Sequence, residues 1–234
     1  MMGFTFRGTH TSSFLGLIVR TVNNPMLPAR KITRVSIPDR DGSYVFEDGF
    51  ENKTLEFACI LAKGSLQQRR TQAREIAAWL SGTGELILDH ELGRSYKTLR
   101  TVSDVSLTLN NRRDDFHISF EAEPFQYGSL QTTSIDNPTS VVITNNGTAK
   151  AETLLSVTGT GNVTVSCGNQ AFTLAGITEK INLDSRKMLV YTDLSENRMQ
   201  SHTGGFLKLA PGANTINVTG TVSNLSVQFY DTYL

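Results

Sequence analysis

The clearest two-residue period in the chain lies between Thr54 and Leu61. There Leu55, Phe57, Cys59 and Leu61 alternate with Thr54, Glu56, Ala58 and Ile60. One set is apolar and the other mixed, which predicts a strand with one well-buried face. Two further runs share the pattern: Val105, Leu107 and Leu109 against Ser106 and Thr108, then Phe116, Ile118, Phe120 and Ala122 against His117, Ser119 and Glu121. The polar segment Asn110-Asn111-Arg112-Arg113-Asp114 between them predicts a hairpin. Earlier strands are expected near 15–20, 31–37 and 43–47. The last two are joined by Pro38-Asp39-Arg40-Asp41-Gly42, whose Pro and Asp-Gly chemistry suits a tight turn.

At Ser65 the period changes. Ser65 and Gln68 have the spacing of a capping box, in which each side chain satisfies an orphan N–H at a helix start. Leu66, Ala73, Ile76, Ala77 and Leu80 fall near one face, with Arg69 at the same angle and Trp79 beside the stripe. Gly82 stands where a left-handed C-terminal cap is expected. The face is expected to pack on its own sheet, because most helical stability comes from such packing. A contact of part of the helix with a neighbouring subunit stays open as the sharper reading. A hairpin-like pair of strands follows over 84–100, with Asp89-His90-Glu91 at its tip.

From Gly128 to Pro138 the chain is small, polar and unpatterned, which is linker composition. A domain over 1–128, a linker over 129–138 and a second domain over 139–234 are expected. The second domain reads as strands only, near 140–145, 151–157, 162–166, 170–174, 177–183, 187–192, 205–209, 214–219 and 224–230. Turn signals such as Asn146-Gly147, Cys167-Gly168-Asn169 and Pro211-Gly212 separate them. Short strands at this spacing indicate a β-sandwich or jelly roll. The expected fold is therefore mainly β in two domains, the first β-sandwich-like with one α-helix and a hairpin.

Composition narrows the function. With Lys and Arg at 22 and Asp and Glu at 22, the formal net charge of +0 provides no excess for nucleic acid or an anionic membrane. Cys59 and Cys167 fall in different halves, neither in a CxxC pair, so a disulfide framework and a zinc site are both disfavoured. No apolar run approaches a membrane span, and MMGFTFRG lacks the apolar stretch of a signal peptide. Folding in the cytosol that makes the chain is the expectation. The sequons at Asn146, Asn162, Asn217 and Asn224 then read as chance in a Thr- and Asn-rich β domain.

Candidate chemistry is sparse. His10, His90, His117 and His202 are scattered, with no HExxH or HxH pattern, and no nucleophile elbow or phosphate loop occurs. Gly159-Thr160-Gly161 leads to a strand and reads as a turn. Asp39-Arg40-Asp41-Gly42 lacks the later ligands of a calcium loop. Tyr191, Phe206, Tyr230 and Tyr233 are the rings available for a sugar site in the second domain. No catalytic residue, metal ligand or cofactor is assigned, and the chain is read as a non-enzyme.

Several segments, in this order, resemble the distal tail protein (Dit) family of long-tailed phages. They are Phe4-Thr-Phe-Arg-Gly8, Phe14-Leu-Gly-Leu-Ile-Val19, Ile37-Pro-Asp-Arg-Asp-Gly42 and Arg74-Glu-Ile-Ala-Ala-Trp-Leu80. Gly84-Glu-Leu-Ile-Leu-Asp89, Tyr96-Lys-Thr-Leu-Arg100, Phe116 to Tyr127, Ile181-Asn-Leu-Asp-Ser185 and Pro211-Gly-Ala-Asn-Thr-Ile216 complete the set. The resemblance implies a homo-hexameric ring at the far end of the tail tube, made by the N-terminal domain, with a galectin-like C-terminal domain outside it. It implies a virion protein of the tail tip, synthesised in the bacterial cytoplasm. The implied partners are other copies of itself, the major tail tube protein, a tail-tip or tail-associated protein, the tape measure protein and a receptor-binding protein. DNA would pass through the channel without specific binding, and no membrane is involved. The alternative is a carbohydrate-binding host-attachment module of a phage tail. Within the ring, the hairpin is expected to pair with a neighbour through its edges. Glu85, Leu86, Ile87, Leu88, Asp89, Tyr96, Lys97 and Arg100 are the expected oligomer interface, and the residues that dock other partners are not assigned.

Overall fold

The computed structural model describes residues 2–102 and 113–234. The expected strand at 105–109 and most of its turn lie outside the described residues. The chain divides into two compact units, Met1–Gln126 with Leu234 and Tyr127–Tyr233. In chain order the first contains β1 (Phe4–Phe6), β2 (Thr9–His10), β3 (Leu17–Asn23), β4 (Arg30–Val35), β5 (Tyr44–Phe50), β6 (Lys53–Leu61), α1 (Leu66–Leu80), β7 (Gly84–Leu88), β8 (Ser95–Thr101) and the start of β9 (Asp114–Asp136). The second holds the rest of β9, then β10 (Ser140–Asn145), β11 (Ala151–Cys167), β12 (Gln170–Ile177), β13 (Lys180–Asp184), β14 (Leu189–Thr192), β15 (His202–Gly204), β16 (Lys208–Leu209) and β17 (Gly212–Tyr233).

In the first unit the sheet runs β3-β6-β9-β8-β7-β1-β2, while β4 and β5 form a separate two-stranded sheet. The alternation at 54–61 produces the expected result: Leu55, Phe57, Cys59 and Leu61 are buried. β6 pairs antiparallel with β9 from Lys53↔Ala122 to Leu61↔Asp114, so Phe116, Ile118 and Phe120 enter the same core. Helix α1 covers this face. Its capping box between Ser65 and Gln68 is formed on both sides, and Gly82 follows it at φ +101. The buried stripe is narrower than the apolar pattern, for Ile76 and Leu80 are buried but Leu66 is 42% exposed and Ala77 is exposed. Arg69 occupies the place on the stripe where an apolar residue is expected. It is buried, and its Nε donates to Asp114 Oδ2 at 2.8 Å and its Nη1 to Gly64 O at 3.0 Å. Trp79 Nε1 donates to Phe6 O at 2.9 Å while its ring stacks on Phe4, with centroids 5.6 Å apart.

The segment expected as a linker is largely extended. Residues 129–136 continue β9, which lies beside β17. Pro124 lies inside β9, two residues past the end of the ladder with β6 at Ala122.

The second unit is a sandwich built on two long strands. Thr153–Thr158 of β11 lies between β13 and the Leu225–Phe229 part of β17, whereas Thr164–Cys167 lies between β12 and the Ile216–Thr219 part. Strands predicted separately at 151–157 and 162–166, and at 214–219 and 224–230, are therefore single strands that pass from one sheet to the other. The passage is a pair of bulges. A Cβ on Gly159 would lie 2.3 Å from Thr221 O and one on Gly220 2.4 Å from Asn162 O, so only glycine permits the crossing. Leu155, Val157, Val163, Val165, Leu225 and Val227 fill the core between the sheets.

Removing one member of the Arg69–Asp114 pair leaves a buried charge uncompensated. Arg69→Met or Asp114→Leu alone is expected to cost about 3–5 kcal/mol in urea unfolding, with the double variant recovering most of it. A cost below about 1 kcal/mol for either single variant would show that water reaches the site.

Candidate assembly surfaces

The predicted hairpin forms. β7 and β8 pair through Gly84↔Thr98, Glu85↔Lys97 and Leu86↔Tyr96. Their alternation divides the predicted interface in two. Leu86, Leu88 and Tyr96 point into the unit's own core, at 0%, 1% and 2% exposure. Glu85 and Arg100 are exposed, and Ile87, Asp89 and Lys97 are half-buried. The expected mode of contact is corrected as well: β7 is already bonded to β1 through Phe4↔Leu88, Thr5↔Ile87 and Phe6↔Leu86, and β8 lies between β7 and β9. Neither strand keeps a backbone edge for a neighbour. Only the outward side chains Glu85, Ile87, Lys97 and Arg100 remain as a candidate surface. Arg100 is bonded to Glu121, whose carboxyl is held below its ordinary pKa by hydrogen bonds from Asn52 and then Arg100.

At one end of this unit the Tyr96 hydroxyl gathers three segments. It accepts from Asn24 Nδ2 at 2.8 Å and from Gln126 Nε2 at 2.6 Å, and Gln126 also donates to Glu91. The Lys53 ammonium sits 5.3 Å from the Tyr96 ring centre. Burial raises the Tyr96 pKa, and burial lowers that of Lys53 against the opposing pull of Glu91. This is a clamp on the loop that leads out of β3. Elsewhere in this unit, burial pushes the Cys59 thiol up to about 12. Asp89 meets His10 Nε2 at 3.1 Å, and among the described residues no group of three or more His, Cys, Asp or Glu is placed to hold a metal.

The loop leads to the pair of strands expected near 31–37 and 43–47, whose exposure the sequence pattern did not flag. β4 and β5 form a hairpin arm that contributes nothing to either core. Its root is fixed: Phe50 meets Phe125 edge to face at 5.6 Å, and the Arg30 guanidinium lies 4.6 Å over Phe50. Beyond the root every residue of both strands is exposed. Ile32 and Val45 lie on one face, and Val35, Tyr44 and Phe46 on the other, with Val45 and Phe46 each 54% exposed. The available signal was the absence of a clean alternation over 31–37 and 43–47: a strand that is apolar on both faces yet charged throughout has no single buried side.

The described architecture is a fold shared with a solved phage protein. In particular, the chain is similar to the SPP1 Dit (gp 19.1) protein, described as a paradigm of hub adsorption apparatus in phages infecting Gram-positive bacteria. The likeness covers 100% of both chains at a TM-score of 0.78 and 14% identity. Chains of the phage P2 baseplate in its activated conformation, with Ca and with Sr, match over 98% of each chain at TM-scores of 0.46 and identities of 8% and 9%. No family model matches the chain, and no curated protein matches it.

Tyr96→Phe removes the acceptor shared by Asn24 and Gln126. Asn24 already has an unpartnered buried Oδ1. The variant is expected to lose about 1–3 kcal/mol of stability, read by urea unfolding of the full chain. A neutral result would mean that water replaces the hydroxyl.

Proposed function

We propose that this chain is a structural phage tail protein whose copies form a hexameric ring at the distal end of the tail tube. The ring is a hub that joins the tube, the tail tip and the host-adsorption apparatus, and it performs no catalysis. One observation carries this reading: the fold likeness to a hub protein runs over the whole of both chains. The first unit is the ring-forming part. The second, galectin-like in this reading, docks tail-tip and receptor-binding proteins outside. The tail tube and tape measure proteins are the partners on the axis.

The arm supports self-association, because exposed apolar side chains on a rooted hairpin are covered at little entropic cost. The sheet face opposite α1 supports a channel wall. Glu56, Glu85 and Glu121 are interspersed there with Lys97 and Arg100, so no positive excess would hold passing DNA.

Native mass spectrometry and electron microscopy of the full chain, alone and with its tail tube protein, are expected to show closed rings with a central hole. A chain that stays monomeric in both mixtures would overturn the proposal. Glu85→Lys combined with Arg100→Glu is expected to impair ring closure while the chain stays folded, with a melting temperature lowered by only a few degrees, because the new charges face Lys97 and Glu121 at a solvent-screened surface. Normal rings in that variant would remove the outward hairpin face from the interface.

A further inference from the structure

The arm has more than an apolar surface: it has two free backbone edges of opposite charge. Among the described residues β4 and β5 pair only with each other. A two-stranded hairpin is marginal in water, and a third strand is what makes such a sheet stable. β4 carries Arg30, Lys31 and Arg34, whereas β5 carries Glu47 and Asp48. Within the arm these charges already attract across the ladder, Arg30 Nη1 reaching Glu47 Oε2 at 3.0 Å. The outer edge of β4 is thus basic and the outer edge of β5 acidic.

We infer that the arms of successive copies pair edge to edge, β4 of one copy with β5 of the next, to make a continuous intermolecular sheet. This rests on the ring reading above and says which surface closes the ring. The alternatives within the same hairpin are disfavoured by charge. Pairing β4 with β4 would set Lys31 and Arg34 against their own kind, and pairing β5 with β5 would set Glu47 and Asp48 against theirs. Like charges on adjacent strands are destabilising, so the sequence selects against both two-fold pairings. Only the head-to-tail pairing brings opposite charges together, and each added copy again presents one basic and one acidic edge. Such a heterologous contact closes into a ring when its rotation closes.

Among the described residues the first unit offers one other long edge, that of β3, which pairs only with β6. It is a poorer acceptor. The register slips between Val19 and Thr21, so Arg20 is an exposed bulged residue, and a bulge with a charge is a common guard on a sheet edge. The arm has a one-residue slip as well, between Arg30 and Ile32, but it lies at the root. From Ile32 to Val35 the ladder is regular.

The test uses charge exchange in the full chain. Lys31→Glu/Arg34→Glu makes both edges acidic, and Glu47→Lys/Asp48→Lys makes both basic. The arm contributes to neither core and its ion pairs are solvent-exposed, so both variants are expected to stay within a few degrees of the wild-type melting temperature even though Glu47→Lys removes the Arg30 pair. Each alone is expected to lose the ring in sedimentation velocity and native mass spectrometry. Mixed in equal amounts, they are expected to recover it, with the two chains in a one-to-one ratio. Rings from either variant alone would overturn the edge pairing while leaving the ring reading intact. Failure of the mixture to assemble, with wild type forming rings, would also overturn it. A wild-type chain that never assembles would remove both.

Discussion

Arg69 and Asp114 meet at 2.8 Å with 3% and 2% of their side chains exposed, and the first unit is arranged around that contact. Two charges taken out of water are tolerated only when they face each other with good geometry. The pair therefore permits one seating of α1 over β9. That seating places Trp79 against Phe4 and Phe14 and lets its ring nitrogen donate to Phe6 O, which anchors the N-terminal strand. With β1 anchored, β7 acquires a partner on its second side. The helix also commits the sheet to one covered face, and the opposite face is left in solvent with its mixed charges.

Much of this order was legible because local signals agreed. The capping box, the glycine after the helix, the alternation of β6 and the hairpin at 84–100 each follow from short-range chemistry, and each is found. The misreadings share a different cause. The polar stretch after Gly128 looks like a strand ending, but it lies beside β17, where Gln131 reaches Asp231 a hundred residues away. Gly159 reads as a turn for the same reason, and Gly220 falls in the gap between the strands expected at 214–219 and 224–230. They are places where two strands cross closely, and closeness to Thr221 O and Asn162 O is a long-range fact. Arg69 sits at a core angle in the helix pattern, but only the tertiary position of Asp114 explains why a cation belongs there.

The candidate surface shows the same limit. The hairpin at 84–100 was the natural choice for an inter-subunit element because an isolated hairpin has two open edges. Those edges are spent within the chain, on β1 and β9. Edge availability is a property of the whole sheet and cannot be read from one segment. What survives is the side of the hairpin that period two turns outward: Glu85, Ile87 and Lys97, with Arg100 at the end of β8.

Backbone accounting then shifts the weight to the arm. Each strand in a sheet offers two rows of N–H and C=O groups, and a row left open is either solvated or paired with another chain. Among the described residues of the first unit the open rows belong to β2, β3 and the two strands of the arm. β2 is two residues long, and β3 is bulged at an exposed arginine. The arm alone combines length, regular pairing beyond its root, apolar side chains on both faces and a root held by Phe50, Phe125 and the Tyr96 clamp. A clamp of that kind has little purpose for a surface loop that touches nothing. It limits the directions the hairpin can take, and so lowers the entropy lost when a second chain meets it.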